Sequence, residues 1–113
     1  MRDGAWVKEL RVGITVCDRD GTALEINDRA AETFAADGGR DLVGKSILDC
    51  HPPRARALFE ELLRTGGTNA YTIEKNGVKK LIYQAPWYEE GVYRGIVELS
   101  LPIPFDLPHF VRG

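Results

Sequence analysis

The stretch from Thr68 to Leu101 constrains the fold more than any other. It alternates with a two-residue period over three segments joined by two tight-turn signals. "TNAYTIEK" turns Tyr71 and Ile73 inward, and "NG" at 76–77 suits a hairpin turn in which both central residues take positive φ. "VKKLIYQAPW" places Leu81, Tyr83, Ala85 and Trp87 on one face, which we expect to be the core face. "EEG" turns the chain again, and "VYRGIVELSL" offers Tyr93, Val97, Leu99 and Leu101 on one side. Gly95 interrupts that last strand, as a bulge or a close backbone approach would require. Three strands in a meander bury one face only if helices cover it.

The residues before them supply that cover. "AWVKELRVG" (5–13) sets Trp6, Val7 and Leu10 at helical spacing, and an amphipathic N-terminal helix is expected within residues 1–12. "ITVCDRDGTALEIN" (14–27) reads as a hairpin turning at Gly21, after which Asn27 is a favoured N-cap for a short helix carrying Ala30, Ala31 and Phe34. Three glycines (Gly38, Gly39 and Gly44) leave room for only a turn or two of helix before "SILDC". In "DCHPPRARALFEELLRTGG", Pro52 pushes His51 into an extended backbone and Pro53 suits the first position of a helix. Ala55, Leu58, Phe59, Leu62 and Leu63 then form a buried stripe. Arg56–Glu60 and Glu60–Arg64 pair on the opposite side, and Gly66 ends the helix. The order of elements is α+β: an antiparallel sheet with helices on one face.

Length and charge narrow the function classes. A chain of 113 residues suits one domain, and a net charge of −2 gives no footprint for nucleic acid or an anionic membrane. Neither a secretory leader nor an apolar run of membrane-spanning length is visible, so a cytoplasmic location is expected. Two cysteines, Cys17 and Cys50, make no disulfide framework. No spacing of Ser, His and acid suggests a nucleophilic triad, and the glycine pairs lack the company of a phosphate loop. We therefore expect a non-enzymatic module.

Taken together, "ITVCDRDGTALEINDRAAETF", "DLVGKSILDCHPP" and "GVYRGIVELSL" resemble a PAS domain in order and spacing across residues 13–101. The "CHPP" variant is similar to a subgroup of bacterial PAS domains, some found alongside hemerythrin-like domains. The resemblance implies a five-stranded antiparallel sheet in the order 2-1-5-4-3, with a ligand pocket between sheet and helices. It also implies a sensory or signalling module that acts through protein contacts. A dimerisation module whose core is filled is the alternative. Nothing here is similar to the "NCRFLQ" motif of flavin photosensors. The segment 102–113, "PIPFDLPHFVRG", departs from the family's usual helical exit, because its prolines forbid a regular helix.

The pocket lining implied by the resemblance is Phe34, Ile47, His51, Leu58, Leu62, Tyr71, Tyr83 and Val97. His51 can be a helix-entry residue, a polar contact to a ligand, or an axial ligand to haem or another planar cofactor held in that pocket. Cys50 can be a small buried apolar residue or a thiol activated by the helix start. No metal site is expected from the cysteine and histidine spacing otherwise. Ile82 and Ile96, being of the parity opposite to Leu81 and Val97, are expected on the outer sheet face. With Trp6, Val7 and Leu10 they would form a homodimer interface. A separate signalling partner is also expected, and Phe105, Leu107, Phe110 and Val111 make the tail apolar enough to dock.

Overall fold

The computed structural model describes residues 4–113. The first three residues of the segment expected to carry an N-terminal helix lie outside them. That helix is a single turn, α1 (Ala5–Lys8), and Leu10 falls beyond it. A hairpin follows, β1 (Gly13–Cys17) and β2 (Ala23–Ile26), then α2 (Asp28–Thr33). Three tight helical turns, Ala35–Asp37, Gly39–Leu42 and Ile47–Cys50, lead to α3 (Pro53–Thr65). The chain closes with β3 (Asn69–Lys75), β4 (Val78–Glu89) and β5 (Val92–Ile103). The five strands form one antiparallel sheet in the order β2-β1-β5-β4-β3.

Local chemistry explains the turns. Asp18 Oδ1 accepts from the backbone N–H of Asp20 at 2.9 Å and of Thr22 at 3.0 Å, closing the β1–β2 loop. Asn76 and Gly77 have φ of 52° and 77°, and Glu90 and Gly91 have 52° and 79°, so both later hairpins turn with two successive left-handed residues. β5 extends through Pro102 and Ile103, beyond the boundary expected at residue 101. Its pairing with β1 ends at Ser100, so Pro102 removes no hydrogen bond on that side.

Asn27 is the hub of the N-terminal half. Its Oδ1 caps α2 by accepting from Ala30 N at 3.1 Å and also accepts from Ile14 N at 3.0 Å. Its Nδ2 donates to the carbonyls of Val7 at 2.9 Å and Val12 at 2.7 Å. One buried amide thus ties α1, β1 and α2 together.

The inner face of the sheet follows from β1, where Gly13, Thr15 and Cys17 are buried while Ile14 and Val16 are only half-buried. Directly opposed residues of antiparallel strands share a face. Thr15 opposes Glu98, Glu98 opposes Gln84, and Ser100 opposes Ile82, so these are inner residues. The parity expected for β4 and β5 is therefore inverted: Leu81, Tyr83, Ala85, Val97, Leu99 and Leu101 stand on the outer face. Tyr93 nonetheless points inward, where its hydroxyl donates to the Leu63 carbonyl at 2.9 Å. The reason is the bulge at Gly95. Pairing jumps from Trp87↔Gly95 to Tyr88↔Tyr93, which inserts Arg94 as an extra residue and switches the alternation. Gly95 is also required by a close approach, since a Cβ there would lie 2.8 Å from Asp18 Cα. Over it the Trp87 indole reaches Cys17 O at 2.9 Å.

The core fills one end of the space between sheet and helices. Cys17, Ala23, Ile47, Phe59, Leu63 and Ile96 form it, with Leu48, Leu62 and Tyr93 packed alongside. α3 contributes Phe59 and Leu63, whereas Leu58 is 57% exposed and drops out of the expected stripe. Arg56 pairs with Glu60 as expected, but Arg64 turns to Glu61 instead of Glu60.

Candidate functional site

At the other end of β1 the sheet and helices do not close, and a cavity of about 400 Å³ lies between them. Gly13 and Thr15 of β1, with Glu98 and Ser100 of β5, form its floor. Lys80 and Ile82 of β4 and Tyr71, Ile73 and Lys75 of β3 continue that floor toward the sheet edge. Arg29, Ala30, Thr33 and Phe34, in and just after α2, make the opposite wall, and His51 closes the side toward the core. Asn76 and Val78 line the end at the β3–β4 turn.

Beneath the floor one chain of side-chain hydrogen bonds ends on Glu98. Asn69 Nδ2 donates to Gln84 Oε1 at 3.3 Å, and Gln84 Nε2 donates to Glu98 Oε1 at 2.7 Å. Gln84 is only 3% exposed, so this chain of hydrogen bonds fixes one Glu98 oxygen while the residue faces the cavity. Burial first, and then the negative Glu98, hold the Tyr71 phenol above its usual value, so it faces the cavity as a neutral hydroxyl.

His51 is positioned by the chain on both sides. Its backbone is extended, at φ −110° and ψ 138°, as a residue before proline must be. Its Nδ1 lies 2.8 Å from the Ile47 carbonyl, and its ring lies 5.4 Å from that of Phe59 with a 30° tilt. A carbonyl only accepts, so Nδ1 carries the proton and Nε2 is the nitrogen left free in the neutral ring.

Of the residues expected to line a pocket, Phe34, His51 and Tyr71 meet at this cavity. Ile47 and Leu62 belong to the core side of α3, and Leu58 faces solvent. Tyr83 and Val97 sit on the outer sheet face. Ile82 and Ile96, expected on the outer face for dimerisation, are inner residues at 6% and 1% exposure, Ile82 lining the cavity and Ile96 in the core. Trp6 and Leu10 are exposed and Val7 is half-buried. Reading the parity missed Thr15, Lys80, Glu98 and Ser100, and it gave no role to Arg29. The signal available was polarity in β5, where Glu98 and Ser100 share the parity that faces the cavity and Val97, Leu99 and Leu101 the other.

Cys50 is half-buried, and burial, then Asp37 and Asp49, raise its thiol above the ordinary value. That is the opposite of activation. Among the described residues no group of three or more His, Cys, Asp or Glu side chains could hold a metal. No helix among them is long and apolar enough to cross a membrane.

A five-stranded sheet in this order, with a cavity under its helical face, defines a class of domain, and the comparisons agree. The model of the PAS fold family matches residues 7–66, more than half of the chain, and the chain belongs to that family. Solved structures of the same fold include the PAS domain of BvgS from Bordetella pertussis, 23% identical over 88% of this chain and 82% of that one, with a TM-score of 0.61. The PAS domain of histidine kinase ThkA is 15% identical over 80% and 97%, with a TM-score of 0.63. The Aer2 receptor from Vibrio cholerae, described as a dual PAS-heme oxygen sensor, is 17% identical over 82% and 95%, with a TM-score of 0.61. These identities establish a shared fold. No curated protein matches the chain.

Proposed function

We propose that this protein is a sensory module that binds a small molecule in the cavity between α2 and the inner sheet face and signals through protein contacts. The observation that carries the reading is the cavity, about 400 Å³ of space ringed by side chains from α2, β1, β3, β4 and β5. A purely structural module would fill that space with side chains, as the end around Phe59 does. Haem fixed by His51 suits the cavity less well. Arg29 on the helical wall and Lys75, Lys80 and Glu98 on the sheet leave few apolar surfaces for the two faces of a macrocycle, and only its propionates would find partners among the cations.

Native mass spectrometry of the purified protein, with mass analysis of its denatured extract, tests this reading. A bound small molecule should be present and should be lost in Ile82→Trp, or separately in Ser100→Phe, each filling the cavity from the sheet. Retention of the molecule in both folded variants would move binding elsewhere. Hemin titration belongs in the same set, and a saturable Soret shift abolished by His51→Ala would restore the haem assignment.

The output surface we assign to the outer sheet face, where Tyr83 opposes Leu99 and Leu81 opposes Leu101. Tyr83 is 39% exposed and Trp6 is 59% exposed, so this face and α1 offer apolar surface for a second copy. A stable interface needs about 800 Å² per partner. In the tail, Phe105, Leu107, Phe110 and Val111 are exposed and do not dock on the domain's own core; Lys79 Nζ donates to the Phe105 carbonyl at 3.4 Å. We assign the tail to contact with a separate signalling partner. Light scattering at high micromolar concentration should give a dimer mass that falls to monomer in Tyr83→Ser, Leu99→Ser. A monomer in the wild type would refute the dimer.

A further inference from the structure

We infer that the ligand is a small organic acid whose carboxylate is held by Lys80 and Lys75, an inference that rests on the cavity being the sensory site. The whole chain carries a net charge of −2, yet the cavity lining carries three cations, Arg29, Lys75 and Lys80, against one carboxylate, Glu98. The recess is therefore positive within an otherwise acidic protein, and because Arg29 is paired with Glu32 the excess rests on Lys75 and Lys80 over Glu98. Low-dielectric walls strengthen such a field.

The cations are not equally free. Arg29 is engaged by Glu32 at 3.2 Å, outside the cavity lining. Among the described residues, the ion pairs within 4.0 Å include neither Lys75 nor Lys80. Lys80 is half-buried on the inner face, its stem beside Ile73 on one strand and Pro102 on the other, and its ammonium pairs with no carboxylate. Glu98 has one oxygen taken up by Gln84 Nε2 at 2.7 Å. A ligand carboxylate in the cavity would bridge the two lysines, Lys75 exposed at the mouth and Lys80 half-buried further in. Phe34 and Ile82 give its hydrocarbon part an apolar wall. The volume lies near the lower end of the roughly 300–1,000 Å³ range of ligand sites, which favours a short skeleton.

Paired probes that differ only in charge test this: hexanoate against hexanamide, benzoate against benzamide, and succinate against succinamide. Each is added at equal concentration in low-salt buffer and followed by thermal shift and calorimetry. At least one acid should bind and its amide should not. Affinity should fall roughly tenfold for each of Lys80→Gln and Lys75→Gln, the loss of one charge-assisted hydrogen bond. Lys80→Arg should recover most of it. Equal binding of acid and amide, lost in Ile82→Trp, would overturn the acid assignment while leaving the cavity as the sensory site. Binding of inorganic phosphate or glycerol phosphate but of no carboxylate would overturn it in favour of a phosphorylated ligand. Failure of every acid, with a neutral molecule in the extract of the purified protein, would overturn it too. Failure of every probe with no bound molecule in the extract would refute the sensory cavity itself.

Discussion

Replacing Asn27 by alanine should cost about 3 kcal/mol of folding stability, and replacing it by aspartate nearly as much at neutral pH. The residue is 6% exposed, and its side chain makes four hydrogen bonds, at 3.0, 3.1, 2.9 and 2.7 Å. Only one orientation of the amide fits, because two partners donate and two accept. Each neutral bond contributes about 1 kcal/mol net, and leaving its partner buried and unpaired costs as much or more. Four such terms give about 4 kcal/mol; Val7 and Val12 are both half-buried, and hydration of either freed carbonyl in the variant lowers the sum to about 3. Aspartate keeps both accepting bonds but sets a second anionic oxygen against the carbonyls of Val7 and Val12. Its folded pKa must then rise above the ordinary value of about 3.9. A carboxyl with a raised folded pKa binds more protons in the folded state, so Asn27→Asp gains stability as pH falls through that value. Urea denaturation followed by circular dichroism, at about pH 7 and about pH 5, checks both parts. The difference between Asn27→Asp and wild type should narrow in acid, while that of Asn27→Ala should not. A loss below about 1 kcal/mol for alanine, or an aspartate variant indifferent to pH, would refute the hub.

The packing of α3 predicts that Phe59→Ala, at 1% exposure, costs about 3–5 kcal/mol while Leu58→Ala, at 57%, changes stability by less than about 0.5, both read from urea midpoints. Gly95→Ala should lose about 2–3 kcal/mol, because its Cβ would press on the Cys17–Asp18 backbone, and Trp87 fluorescence should report the broken indole bond to Cys17 O. Burial pushes the Cys17 thiol up to about 11, so alkylation near neutral pH should leave it unlabelled until the protein unfolds, with Cys50 modified first. Peptide mass spectrometry checks the order, and labelling of Cys17 at the rate of a free thiol would contradict it.

The hairpins, the Asn27 cap, Pro53 at the helix start and the Gly95 bulge were legible because each is decided by a few neighbouring residues. A left-handed turn needs Asn-Gly whatever surrounds it. Which face of β4 and β5 points inward is a different kind of question. "LIY" and "GIVEL" put apolar residues on both parities, and a count of apolar residues chooses Leu81, Tyr83, Val97 and Leu99. The count fails because two surfaces compete for apolar residues: the helix-covered face and the outer face that we assign to a partner. Where the covered face encloses a cavity of mixed polarity instead of a dry core, the ordinary rule of apolar-in and polar-out is relaxed locally. Gln84, Glu98 and Ser100 then occupy positions that a core would give to leucine. The change of parity at Arg94 makes this compatible with the core, since it lets Tyr93 join the filled end while the rest of β5 keeps its register over the cavity. His51 stands at the boundary between the two regimes, with its ring against Phe59 of the core and its edge on the cavity. That placement, and not the "CHPP" spelling, is the physical reason to regard it as part of the site. Any ligand that displaced the ring would also disturb the packing of α3.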